Sequence, residues 1–229
     1  MKENYQRKLE KVLESLADRE DRPRLLLHSC CAPCSSYVLE YLNRGFDIAV
    51  YYFNPNIAPA EEFERRVAEQ IRLAEALPHE GRVEVIRGEY EPGVFYDAVR
   101  GHEGDPEGGE RCGICFRLRL EAAAKLAAQR GDDFFTTTLT ISPLKDAQRL
   151  NAIGMELAEQ YGVSWLPSDF KKKNGYKRSC ELSAEYGLYR QDYCGCVFSK
   201  RDAMKRRAER DAVSTAAPAP LSGELAAED

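Results

Sequence analysis

Short β-branched, aromatic and leucine-rich runs alternate with helical patterns along most of the chain, and this alternation restricts the fold more than any other feature. Residues 24–29 (RLLLHS), 47–53 (DIAVYYF), 83–87, 134–138 and 163–166 read as strands. Between them lie apolar positions at helical spacing. Leu9, Val12, Leu13 and Leu16 mark a helix over 5–16 within an N-terminal helical segment 3–18. A second helix spans 35–43 and stops at Gly45. Phe63, Val67, Ile71 and Ala74 mark an amphipathic helix over 61–77, and two more are predicted over 112–130 and 144–161. Strands alternating with helices predict a mainly parallel sheet flanked by helices, an α/β architecture. A C-terminal helical and basic part follows over 168–211. The expected organisation is one α/β domain over 1–211 and a disordered acidic tail over 212–229.

In such sheets ligands bind beyond the carboxyl ends of the strands. The loop after the first strand should therefore carry the site, and it reads Ser-Cys-Cys-Ala-Pro-Cys instead of a glycine-rich phosphate cradle. Neither a G-x-G-x-x-G fingerprint nor a Walker A sequence occurs. No internal repeat is evident. No run approaches the ~20 apolar residues of a membrane helix, and the charged residues 1–21 lack an apolar signal-peptide core. The expectation is a cytosolic protein with no membrane partner.

A reducing cytosol disfavours a disulfide framework, so the eight cysteines point to metal binding or redox work. Seven fall in three clusters: Cys30-Cys31-Ala-Pro-Cys34, Cys112-Gly-Ile-Cys115 and Cys194-Gly-Cys196. Adjacent Cys30 and Cys31 point in different directions and suit two irons of a larger cluster better than a single zinc. With Cys112 and Cys115 they make the four thiolates of a 4Fe–4S cluster. A structural zinc built from the same residues, or buried free thiols, are the competing readings. Cys34 could reach a metal beside that cluster or cap a helix start. The C-x-C pair either closes a strained, labile disulfide or adds two metal ligands. Cys180 reads as a small inert hydrophobe and His28 as a packed core residue. His79 and His102 carry no argument.

Formal charge is −5, but the tail after residue 211 holds three acids and no base, leaving −2 for the rest. Lys171, Lys172, Lys173, Lys177 and Arg178 form a run without an acid. Further bases follow over 200–210, with Phe170, Tyr176, Tyr186, Tyr189, Tyr193 and Phe198 interleaved. Basic groups with stacking aromatics suit a single-stranded RNA loop, while a solvated charged face with core aromatics is the plainer reading.

The segments HSCCAPC, YYFNPNI, ERCGICFRLRL, TTTLTISPLKD and ELSAEYGLYRQDYCGCVFSKRDA, in this order from Leu25 to Ala203, resemble the QueH family of cobalamin-independent epoxyqueuosine reductases. The resemblance implies an adenine-nucleotide-hydrolase-like (HUP-type) α/β fold. It implies reduction of epoxyqueuosine to queuosine in a tRNA anticodon loop, in the cytoplasm, with electrons from an external donor. By motif, Cys30, Cys31, Cys112 and Cys115 would hold the 4Fe–4S cluster. Cys194 and Cys196 would form a redox-active disulfide, and Cys34 would help hold an adjacent single iron. Lys145, Asp146, Asp192 and Tyr193 are proton-donor candidates within the matching segments. The alternatives are an iron–sulfur tRNA thiolase, against which the missing glycine-rich loop argues, and a non-enzymatic zinc-binding RNA module.

Overall fold

A computed structural model of the chain describes residues 2–17, 19 and 21–215. Helix α1 (Tyr5–Leu16) precedes strand β1 (Arg24–His28). There follow α2 (Ala32–Leu42), β2 (Asp47–Tyr52), α3 (Ala60–Ala76), β3 (Val83–Arg87), α4 (Pro92–Ala98) and α5 (Glu110–Arg130). Then come β4 (Phe134–Thr137), a single 3-10 turn (Thr138–Ile141), α6 (Ala147–Tyr161), β5 (Ser164–Trp165), α7 (Gly175–Glu185) and α8 (Val197–Thr215).

All strand pairs are parallel, in the order β3-β2-β1-β4-β5. The chain therefore leaves β1 toward one edge and returns past it to β4 for the other. Strands covered on both faces need continuous apolar sequence, and Leu25, Leu26 and Leu27 of β1 are fully buried. Successive side chains alternate between two cores. Leu25 and Leu27, with Ile48 and Val50, pack on Leu9 of α1, Val38, Leu39 and Leu42 of α2, and Leu73 of α3. Leu26, Ala49 and Phe135 pack on the other side against α5 and α6, where Ala123, Ala124 and Ala127 bring α5 close to the sheet. Glycines at positive φ, Gly131 and Gly162, end α5 and α6, as a left-handed cap requires.

The strands lie where the alternation predicts, and several helix boundaries shift. Helix α2 starts at Ala32 instead of residue 35, because Pro33 in the first turn lacks only an N–H that would be unpaired there. Helix α6 starts at Ala147 instead of 144, because the Asp146 carboxylate caps the N–H groups of Gln148 at 2.8 Å and Arg149 at 3.4 Å. Helix α4 and the 3-10 turn after β4 were not expected. The C-terminal helical part consists of α7 and α8, and α8 continues to Thr215, past the tail boundary expected at 212. The rest of that tail lies outside the described residues. Among the described residues no helix is long and apolar enough to cross a membrane.

Candidate active site

Strands β1 and β4 diverge in connection at their carboxyl ends, and the first cysteine cluster sits there. Cys31 is the N-cap of α2 in extended conformation, so Cys34 falls in the helix's first turn. This local geometry brings Cys30, Cys31 and Cys34 together, with their sulfurs within 4.8 Å of one another. Thr138, directly after β4, donates to Cys30 Sγ at 3.3 Å and accepts from Cys30 N–H at 3.1 Å. The loops beneath are tied down. Asn54 Nδ2 donates to the Ser29 carbonyl at 2.8 Å, and Asn54 Oδ1 accepts from Arg119 at 3.1 Å. His28 is buried between Thr137 Oγ1 at 2.8 Å and the Phe53 carbonyl at 3.1 Å. Burial, with Arg119 nearby, pushes its pKa down to about 3. It is a neutral core residue, as expected.

The other two clusters line a neighbouring cavity of about 100 Å³. Its walls include Cys112, Cys115, Cys194 and Cys196. Cys112 lies in the first turn of α5, and its sulfur accepts from Gly108 N–H at 3.2 Å. Cys196 directly precedes α8 and accepts from Ser199 N–H at 3.3 Å, so the start of that helix faces its sulfur. The turn between Cys194 and Cys196 depends on Gly195, whose φ of +114° is foreign to residues with a Cβ. A Cβ there would lie 2.9 Å from Ile57 and 3.0 Å from Arg66. Ala58 N–H donates to the Gly195 carbonyl at 3.0 Å, and Arg66 donates to the Cys194 carbonyl at 3.3 Å. A larger cavity of about 390 Å³ opens above Cys30, Cys31 and Cys34. Glu107, Leu144, Lys145 and Cys194 line both spaces, so all three cysteine clusters meet at one place.

The structure groups the thiols as Cys30–Cys31–Cys34 on one side and Cys112–Cys115–Cys194–Cys196 on the other. All are free thiols, including Cys194 and Cys196. Within the triad, hydrogen bonds from Cys31 and Cys34 hold the Cys30 thiol well below its usual range. Donating to Cys30 pushes Cys31 up to about 12 and Cys34 well above its ordinary value. Burial raises Cys112, pushes Cys115 up to about 12, and raises Cys196.

Two buried or half-buried cations accompany these sulfurs. Arg119 is 1% exposed and Lys145 is half-buried; among the described residues neither pairs with a carboxylate. Burial opposes their charge, but attraction to the surrounding sulfurs in their ionised form outweighs it and raises both pKa values. Asn56 is 2% exposed, lines the smaller cavity, and leaves both amide atoms without a partner. The donor set fits a metal–thiolate centre. Convergent sulfurs supply ligands, and uncompensated cations match the negative charge that such a centre carries.

Sequence reasoning located the thiols but passed over Asn56, Arg119 and Arg66. Asn56 stood in the loop after β2, at the carboxyl edge, and that placement was the available signal. The expected basic run is largely neutralised. Lys171 pairs with Asp169 at 2.6 Å, Arg178 with Glu40 at 2.6 Å, Lys177 approaches Glu181 at 3.9 Å, and Lys173 pairs with Glu10. Lys172 alone of the five has no acidic partner among the described residues.

Fold and site together define a cysteine-rich α/β protein with a metal-competent thiol centre at the carboxyl edge of a parallel sheet. Residues 25–202 match the family described as epoxyqueuosine reductase QueH. The chain is 45% identical over 207 residues to epoxyqueuosine reductase QueH of Staphylococcus epidermidis, covering 89% of this chain and 86% of that one. It is 41% identical over 221 residues to the protein of that name from Streptococcus pyogenes, covering 91% and 87%. It is 36% identical over 188 residues to the one from Thermotoga maritima, covering 81% and 94%. The chain belongs to the QueH family of epoxyqueuosine reductases, which places it among the oxidoreductases.

Proposed function

We propose that this protein reduces epoxyqueuosine to queuosine in the anticodon loop of a cytoplasmic tRNA, without cobalamin. The observation that carries the proposal is the meeting of three cysteine clusters around one pair of adjoining cavities in a chain of this family. Cys30, Cys31, Cys112 and Cys115 would hold a 4Fe–4S cluster, and Cys34 would help hold an adjacent iron. Bound there, iron supplies Lewis-acid polarisation of the epoxide C–O bond and single-electron transfer.

The chain's own residues account for the remainder. Deoxygenation needs two electrons and two protons and releases an alkene and water. The Cys194–Cys196 dithiol supplies both pairs on closing to a disulfide, so that epoxide plus two thiols gives alkene, water and disulfide. An external reductant then reopens the bond. Gly195 permits the tight turn that this closure requires, and Arg66 and Ala58 hold the turn against the cavity. Lys145, between the two cavities, keeps a positive charge beside the thiols and beside any developing oxyanion.

Anaerobic purification with metal analysis and a visible spectrum tests the metal assignment. A brown protein with about four or five irons per chain supports it, and an epoxyqueuosine-tRNA assay then tests the reaction. A colourless protein with stoichiometric zinc after iron–sulfur reconstitution refutes the redox mechanism.

A further inference from the structure

The rim of the larger cavity comes from α7 and the segment after it, through Tyr176, Ser179, Arg190, Gln191, Asp192 and Tyr193. Its charges are unevenly compensated. The two acids on this cavity, Glu107 and Asp192, are both held by arginines of α8: Arg206 at 3.4 Å from Glu107 and Arg207 at 2.5 Å from Asp192. Arg66 is paired with Glu62. Lys145 and Arg190 remain without a carboxylate partner among the described residues. The mouth of the cavity is therefore positive although the chain is acidic overall.

Arg190 is exposed and oriented. Its Nη1 donates to Ser183 Oγ at 3.0 Å and the Ser179 carbonyl at 3.5 Å, and its guanidinium stands 6.0 Å from the Tyr176 ring. Tyr176 is 40% exposed. The start of helix α7 packs closely on its surroundings: a Cβ at Gly175 would lie 2.0 Å from the Phe170 carbonyl and 2.5 Å from the Tyr37 ring of α2. Gln191 Nε2 is buried at the cavity with no hydrogen-bond partner. A hydrogen-bonded cation, an exposed ring and an unused amide donor at the entrance to reactive thiols match what proteins present to an unstacked nucleotide.

The geometry points to this rim, and not the Lys171–Arg178 run, as the site that grips single-stranded RNA. Resting on the reaction proposed above, the occupant is the nucleotide flanking the reacting nucleoside. Arg190 contacts its phosphate, the Tyr176 ring stacks on its base, and the Gln191 amide donates to an acceptor on the base edge. The four paired bases of the run have acidic neighbours on Asp169, Glu10, Glu181 and Glu40. They must give up those partners before they can neutralise phosphate.

The test is fluorescence anisotropy with an unmodified anticodon stem-loop RNA across a salt series, on anaerobically purified protein. Arg190→Ala is expected to weaken binding about tenfold and to reduce the salt slope by about 0.7, as loss of one single-strand phosphate contact does. Tyr176→Ala is expected to weaken binding about tenfold, whereas Tyr176→Phe keeps the stacking face and binds like the original chain. Gln191→Leu weakens binding at an unchanged salt slope. Lys173→Ala changes affinity by less than about twofold. Unchanged affinity in Arg190→Ala and Tyr176→Ala, or a larger loss in Lys173→Ala, overturns the assignment. No stem-loop binding by the original chain overturns both the assignment and the RNA substrate. The expected binding pattern in a protein that forms no queuosine upholds the rim and refutes the proposed reaction alone.

Discussion

Replacing Asn56 with leucine should stabilise the metal-free protein while damaging its chemistry. Asn56 is 2% exposed, and neither amide atom has a partner. Burying an unpaired amide costs roughly 1–3 kcal/mol by mutational measures. Leucine has the same number of side-chain heavy atoms in the same branched shape and no polar atom, so Asn56→Leu removes that penalty and opens no cavity. In a chain of this size 1 kcal/mol corresponds to about 2–4 °C in Tm. The expected rise is therefore roughly 2–12 °C, measured by thermal unfolding of metal-free protein under reducing conditions. In metal-loaded protein the gain should shrink, because the amide then has something in the cavity to bond, and turnover should fall. A lower Tm for the metal-free variant would refute the reasoning, since it would show the amide already satisfied without a ligand.

Three further outcomes follow from the same geometry. Cys196→Ser should abolish multiple turnover while leaving the metal content and visible absorption of the protein intact; unchanged multiple turnover would remove the dithiol from the mechanism. Gly195→Ala forces a Cβ into a backbone conformation at φ +114° and within 2.9 Å of Ile57, a strain of about 1–3 kcal/mol. Differential scanning calorimetry should show a Tm lower by roughly 2–12 °C, and thiol titration should show slower disulfide closure. Cys115 has its pKa raised from 9.0 to about 12 by burial. The unfolded chain loses that proton first, so its contribution to metal-free stability is complete below pH ~9 and is lost as pH rises to ~12. The total is on the order of 4 kcal/mol. Denaturant titrations between pH 8 and 11 should show a steeper alkaline loss in the original chain than in Cys115→Ala.

The chain's periodicity alone settled the α/β class and the position of the strands, because a strand buried on both faces needs an uninterrupted apolar run such as Leu25-Leu26-Leu27. It also placed Cys30 at a carboxyl end, and the Cys30–Cys31–Cys34 convergence is local: a helix start brings residues three apart to the same side. His28 was readable as core for the same reason. The start of α2 was missed because a first-turn proline reads as a breaker until the cap is seen. Three things needed the tertiary structure. The order β3-β2-β1-β4-β5 decides which loops neighbour Cys30, and no sequence periodicity encodes it. The meeting of Cys112 with Cys194 and Cys196 joins residues some eighty positions apart through the packing of α5 and α8. The charge run at Lys171–Arg178 looks free in sequence because, beside the local Asp169 and Glu181, two of its neutralising acids lie far along the chain: Glu10 on α1 and Glu40 on α2 are brought beside it by folding, while Arg206 and Arg207 of α8 cancel the acids at the cavity. Local spacing carries short-range geometry, but electrostatics acts through space, and only the folded chain decides which charges are left uncompensated.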